Sequence, residues 1–86
     1  MTKATSAFHT RLRMLRTERG LSRRELAKQV GVHYQTIGYI ERAEYSPSLE
    51  VALQIAQVFG LPVDAIFSLE PFPTLDAAAL TGRDGA

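Results

Sequence analysis

Residues 33 to 42 read His-Tyr-Gln-Thr-Ile-Gly-Tyr-Ile-Glu-Arg. They hold an amide, two phenol rings and a guanidinium, but no set that could make or break bonds. Such groups hydrogen-bond and stack; they suit recognition of a flat polar partner rather than catalysis. His9 and His33 have no cysteine and no paired carboxylate at ligand spacing beside them, so no metal site is expected. Ser22 lacks a neighbouring base and has no case as a nucleophile. Glu25 is a capping residue. Neither an enzyme activity nor a cofactor is expected.

The charge pattern sharpens this reading. The chain of 86 residues carries a formal charge of only +1. Residues 1–45 hold nine of the ten basic residues and four acids, for a net +5, and residues 46–86 carry a net −4. The basic residues are Lys3, Arg11, Arg13, Arg16, Arg19, Arg23, Arg24, Lys28 and Arg42. A basic first half suggests a face made for a polyanion, although an Arg-rich solvated surface would look the same. The length suits one small domain, and 45% hydrophobic residues suffice for a core. With no cysteine to staple so small a chain, a cytoplasmic home is expected. No run approaches the roughly 18 apolar residues of a membrane span, and residues 1–7 do not read as a signal peptide.

The elements that position these residues follow from periodicity and caps. Phe8, Leu12 and Leu15 make one stripe, predicting a helix over 10–19, ended by Gly20-Leu21. Ser22-Arg23-Arg24-Glu25 is a capping box that opens a second helix, with Leu26, Ala27 and Val30 inward, ended by Gly31-Val32. A third helix is expected over 33–42. Ile37 and Ile40 share its thin apolar face. Gln35, Gly38, Tyr39 and Arg42 lie opposite at about 100° per residue, with Tyr34 at the edge. Pro47-Ser48 opens a fourth helix that ends at Gly60. It carries one apolar arc of Leu49, Ala52, Leu53, Ala56 and Phe59, and a second of Val51, Ile55 and Val58. Pro62 suits the first turn of a fifth helix over 62–67. Pro71 and Pro73 break any helix, residues 75–80 offer one weak turn, and 82–86 read as a loose end.

Two short helices joined by Gly31-Val32, an outward polar and aromatic face on the second, and basic residues in the same half are what a reader of the DNA major groove requires. The stretch 12–67 resembles the Cro/C1-type helix-turn-helix regulators, the xenobiotic-response-element family, and within it the short stand-alone bacterial and phage type. The resemblance rests on Leu-Arg-Met-Leu-Arg-Thr-Glu-Arg-Gly-Leu-Ser (12–22), Glu-Leu-Ala (25–27), Val-Gly-Val (30–32), Gln-Thr-Ile (35–37), Ile-Glu (40–41), Tyr-Ser-Pro-Ser-Leu (45–49) and Asp-Ala-Ile-Phe-Ser-Leu-Glu (64–70), in order and at family spacing.

The resemblance implies an all-α, five-helix, lambda-repressor-like domain over 10–70, with an arm at 1–9 and a tail at 71–86. It implies binding to a double-stranded DNA operator, usually as a homodimer and most often in repression. The recognition helix then falls at 33–42. Gln35 stands where family members read a base, and glutamine can pair with the N6 and N7 edge of adenine. Tyr34, Gly38 and Tyr39 take the variable positions. Ser22, Arg23, His33, Thr36 and Arg42 complete the DNA-binding set, with Arg23 where the family touches phosphate or a flanking base. Arg16 and Glu41 match a pair that ties the first helix to the end of the third. The chain departs from the pattern at His33, where relatives have serine or threonine, and at Arg42-Ala43, where they have Asn-Gly. The end of the third helix or the loop beyond it is therefore where this chain is expected to differ.

Assembly is expected through Val58, Leu61, Ile66, Phe67 and Leu69, with Phe67-Ser68-Leu69-Glu70 alternating like an edge strand. Val51, Ile55 and Val58 suit core or interface. Two rival readings remain: an antitoxin-type autoregulator whose tail captures a partner toxin, and a protein-interaction module without DNA binding.

Overall fold

A computed structural model describes residues 7–73. The weak turn expected at 75–80, the loose end at 82–86 and Lys3 lie outside these residues.

The elements in chain order are β1 (His9–Thr10), α1 (Leu12–Arg19), α2 (Arg23–Val30), α3 (Tyr34–Glu41), α4 (Leu49–Phe59), a 3-10 turn (Val63–Ala65) and β2 (Phe67–Ser68). Among the described residues the fold is thus mainly helical with four α-helices; the fifth helix expected over 62–67 is a single 3-10 turn. Pro62 fixes its start, but the chain leaves the helical path at Ile66. There the Ile66 carbonyl accepts from the Arg11 amide at 2.8 Å. Phe67 and Ser68 then pair antiparallel with Thr10 and His9. The alternation at 67–70 is thus a short strand at Phe67–Ser68, whereas its two-residue partner carries no periodicity of its own, so Thr10, expected inside the first helix, lies in a strand instead. Its hydroxyl accepts from the Leu12 amide at 3.0 Å and opens α1.

The capping residues act as their types dictate. Ser22 Oγ accepts from the Glu25 amide at 3.0 Å, and Glu25 Oε1 accepts from the Ser22 amide at 2.7 Å. Ser48 Oγ accepts from the Val51 amide at 3.1 Å. At α3 the unusual His33 performs the same task, its Nδ1 accepting from the Gln35 amide at 3.2 Å. The turn between α2 and α3 closes at Gly31 with φ 73°, a left-handed conformation that a side chain disfavours.

Leu12, Leu26, Ile37, Ile40, Ile55 and Ile66 are fully buried and form the centre of the core. Val51 and Val58 pack partly buried against it beside Ile55. The second apolar arc of α4 therefore faces inward. Of the first arc, Ala52, Ala56 and Phe59 are buried, whereas Leu49 and Leu53 are exposed. Ile66 belongs to the protomer's own core rather than to an interface. Phe67 is half-buried, paired with β1 and edge-on to Phe8 at 6.0 Å.

Candidate nucleic-acid interface

α3 lies over α2, with Ile37 and Ile40 buried beneath it. That anchor turns Gln35, Tyr39 and Arg42 outward, and all three are exposed. Thr36 is half-buried, and its amide donates to the His33 carbonyl at 2.9 Å in the first turn. Tyr34, at the edge of the face, is half-buried and packs on the core. Its ring stacks on His33 at 4.7 Å and lies 4.0 Å from the Arg24 guanidinium. Tyr34 is therefore a fixed platform more than a free probe.

Gly38, expected on the outward face, is buried. The guanidiniums of Arg23 and Arg42 cover it: a Cβ built there would meet Arg42 Nη1 at 3.3 Å and Arg23 Cζ at 3.8 Å. Helical periodicity places Gly38 correctly toward solvent, but it cannot show that two long side chains lie across it.

The arginines carry different tasks. Glu41, with its side chain 1% exposed, takes a bidentate pair of hydrogen bonds from Arg16. Arg16 also donates to the Leu21 carbonyl at 2.9 Å, so α1, the turn after it and α3 are tied at one point. Glu41 takes a further bond from Arg23 Nε at 3.1 Å. A buried carboxylate needs such company, because desolvating an unpaired charge is costly. Arg23 keeps 41% of its side chain exposed, so one edge of its fork remains turned toward solvent. Arg42 Nε donates to Glu44 at 3.2 Å, and its guanidinium lies 5.3 Å from the Tyr39 ring. Arg13, Arg16, Arg23 and Arg24 line one shallow dent with Ser22 and Tyr34, at the start of α2.

Arg19 stands elsewhere. It donates to the carbonyls of Val58 at 3.4 Å and Phe59 at 3.1 Å, capping the C-terminus of α4. A cation there also complements the helix dipole. Arg11 lies over the Phe72 ring at 4.2 Å. The basic half is thus partly consumed in holding the fold. The roles of Arg24, Glu44 and the second bond to Glu41 were not assigned from sequence. Glu44, two residues beyond Arg42, was the visible signal for one of them.

The loop after α3 departs from the glycine pattern but not from its geometry. Ala43 adopts φ 57°, while the Ala43 amide donates to Ile40 and the Glu44 amide to Tyr39 at 2.9 and 2.8 Å. This is a Schellman end made with alanine at the left-handed position that ordinarily favours glycine.

A helix anchored by isoleucines, a second helix bracing it across a glycine turn, and an outward face of amide, phenol and guanidinium define a DNA-binding helix-turn-helix. The helix-turn-helix family profile HTH_3 matches residues 12–66, and the chain belongs to that family. An uncharacterized HTH-type transcriptional regulator of Archaeoglobus fulgidus is 43% identical over 60 residues, covering 70% of this chain and 86% of the relative. The cryptic phage CTXphi transcriptional repressor RstR of Vibrio cholerae is 34% identical over 61 residues, 71% of this chain and 55% of the relative. Among solved structures, the restriction-modification controller protein C.AhdI of Aeromonas hydrophila superposes with a TM-score of 0.58 at 36% identity. That match covers 62% of this chain and 80% of the other. The chain is thus a DNA-binding transcriptional regulator rather than an enzyme. Among the described residues no helix is long and apolar enough to cross a membrane. Nor do three His, Cys, Asp or Glu groups gather there as a metal site would need.

Proposed function

We propose that the chain represses transcription by binding a roughly palindromic operator as a homodimer in the cytoplasm, reading each half-site through α3. The observation that carries this reading is the outward face of α3, where Gln35, Tyr39 and Arg42 stand exposed over the buried Ile37 and Ile40. Gln35 contributes an adenine-reading amide, and Arg42 and Tyr39 extend the contact along the groove. Ser22, Arg23, His33, Tyr34 and Thr36 surround that face and are assigned to backbone contacts and to holding the helix in register. The arginine-lined dent at the start of α2 supplies positive charge for flanking phosphates.

One such unit reads too few base pairs for a unique site; two related by a two-fold axis read half-sites about 34–36 Å apart. The surface available for a second copy differs from the sequence expectation. Ile66 is committed to the protomer's core and Phe67 is half-buried, whereas Leu69 is 82% exposed and Leu53 is 52% exposed. Leu53 and Leu61 line a shallow groove along α4, and Val58 lies half-buried on the same helix. An isologous contact there joins two copies without using the α3 face. The phage repressor among the relatives supports repression as the sign of control.

Selection of bound sites from random DNA, followed by footprinting, tests this function. Two inverted half-sites about one helical turn apart are expected. Binding without sequence preference would contradict it.

A further inference from the structure

Gly38 stands in the middle of α3, where glycine is the poorest helix former after proline. Its φ is not left-handed, so the backbone makes no demand for glycine. What a Cβ there would press is the Arg42 fork: its Nη1 lies 3.3 Å from that position and would have to give by a few tenths of an ångström, while Arg23 Cζ lies at an ordinary contact distance of 3.8 Å. Each is drawn there by a carboxylate on its Nε: Arg23 by Glu41 at 3.1 Å, Arg42 by Glu44 at 3.2 Å. With Nε engaged, the two Nη groups of each fork remain to donate elsewhere. Tyr34, Gln35 and Tyr39 complete a dent of about 190 Å³ around the two forks.

Two cations brought side by side, with donors to spare, make a seat for paired acceptors. An arginine fork meets such a pair on the O6 and N7 edge of guanine, its commonest specific partner in the major groove. Phosphate would also fit a fork, but the dent lies between Gln35 and Tyr39, on the face assigned above to base reading. We propose that Gly38 determines specificity by its missing side chain: it seats the Arg42 fork, with Arg23 beside it, against one guanine in each half-site. This rests on the reading of α3 as the groove-reading helix. Glu44 then acts as a positioning residue that fixes the plane of the Arg42 fork.

The test compares wild type, Gly38→Ala, Arg42→Lys and Arg42→Gln on operators varied one base at a time. Gly38→Ala should melt about 2–8 °C higher, because alanine favours the helix. It should nevertheless lose about 5- to 150-fold of preference for guanine at one position, with preference at the Gln35 position retained. Arg42→Lys keeps the charge and should lose the same guanine with an unchanged salt slope. Unchanged guanine preference in either Gly38→Ala or Arg42→Lys would overturn the proposal. So would an Arg42→Gln protein that binds every sequence more weakly and equally, with a shallower salt slope, since the fork would then hold phosphate. A wild type that selects no sequence defeats the groove-reading assignment itself and this inference with it.

Discussion

The Glu41 carboxylate at the end of α3 is enclosed by the Arg16 guanidinium of α1, which bonds both of its oxygens. This pair sets the distance between the first helix and the recognition helix from a buried position. Replacing Glu41 by leucine leaves Arg16, 13% exposed, without its partner and should cost about 3–5 kcal/mol. Arg16→Met should cost less, about 1.5–3 kcal/mol, because Arg23 still bonds the carboxylate. Denaturant titration of the two single variants and the double variant measures the coupling. Additive losses would mean that the pair does not act as a unit.

The capping box makes the start of α2 sensitive to acid. Hydrogen bonds from the Ser22 amide and hydroxyl hold the Glu25 carboxyl below its ordinary value of 4.5. A lowered folded value means that this stabilisation is present above the ordinary value and is lost as pH falls through the folded one. Glu25→Gln should therefore remove part of the stability difference between pH 6 and pH 3 seen in wild type. Identical pH profiles would remove the capping box from acid unfolding.

Ala43 holds a left-handed conformation that an L side chain resists. Ala43→Gly should raise stability by about 1 kcal/mol, since the Schellman hydrogen bonds are already in place. Thermal melts decide it; a lower melting temperature would show that the alanine methyl packs usefully.

Arg19 separates folding charge from binding charge. It is bonded to the last carbonyls of α4, on a different part of the protomer from the α3 face. Arg19→Ala should cost about 1 kcal/mol in stability and leave the salt slope of DNA binding unchanged. A slope shallower by about one unit would place Arg19 on a phosphate instead.

Much of this arrangement was legible in the residues. Ser22 with Glu25, Ser48, and the glycines at 20, 31 and 60 mark helix ends through local chemistry, and local chemistry survives folding. The Arg16–Glu41 pair was legible through the resemblance, and the outward placement of Gln35, Tyr39 and Arg42 through the isoleucine spacing. What was not legible depends on contacts far apart in sequence. The alternation at 67–70 marks a strand, but nothing in residues 9 and 10 marks them as its partner. The inward side of α4 was ambiguous because that helix is apolar almost all round. Ile66, expected at the interface, is instead enclosed by core residues distant in sequence. Arginine is the hardest to assign, because one side-chain type caps α4 at Arg19, neutralises Glu41 at Arg16 and covers Gly38 at Arg42.

The central claim is that the outward face of α3 reads base sequence, and Gln35 tests it most directly. Binding of wild type and Gln35→Ala is measured on the selected operator and on variants changed one base at a time. The account predicts that Gln35→Ala loses about 1–3 kcal/mol on the selected operator and no longer discriminates at one base pair per half-site. Discrimination at the remaining positions should stay as in wild type. An equal loss on every sequence, or no loss at all, would contradict the claim that this face reads DNA.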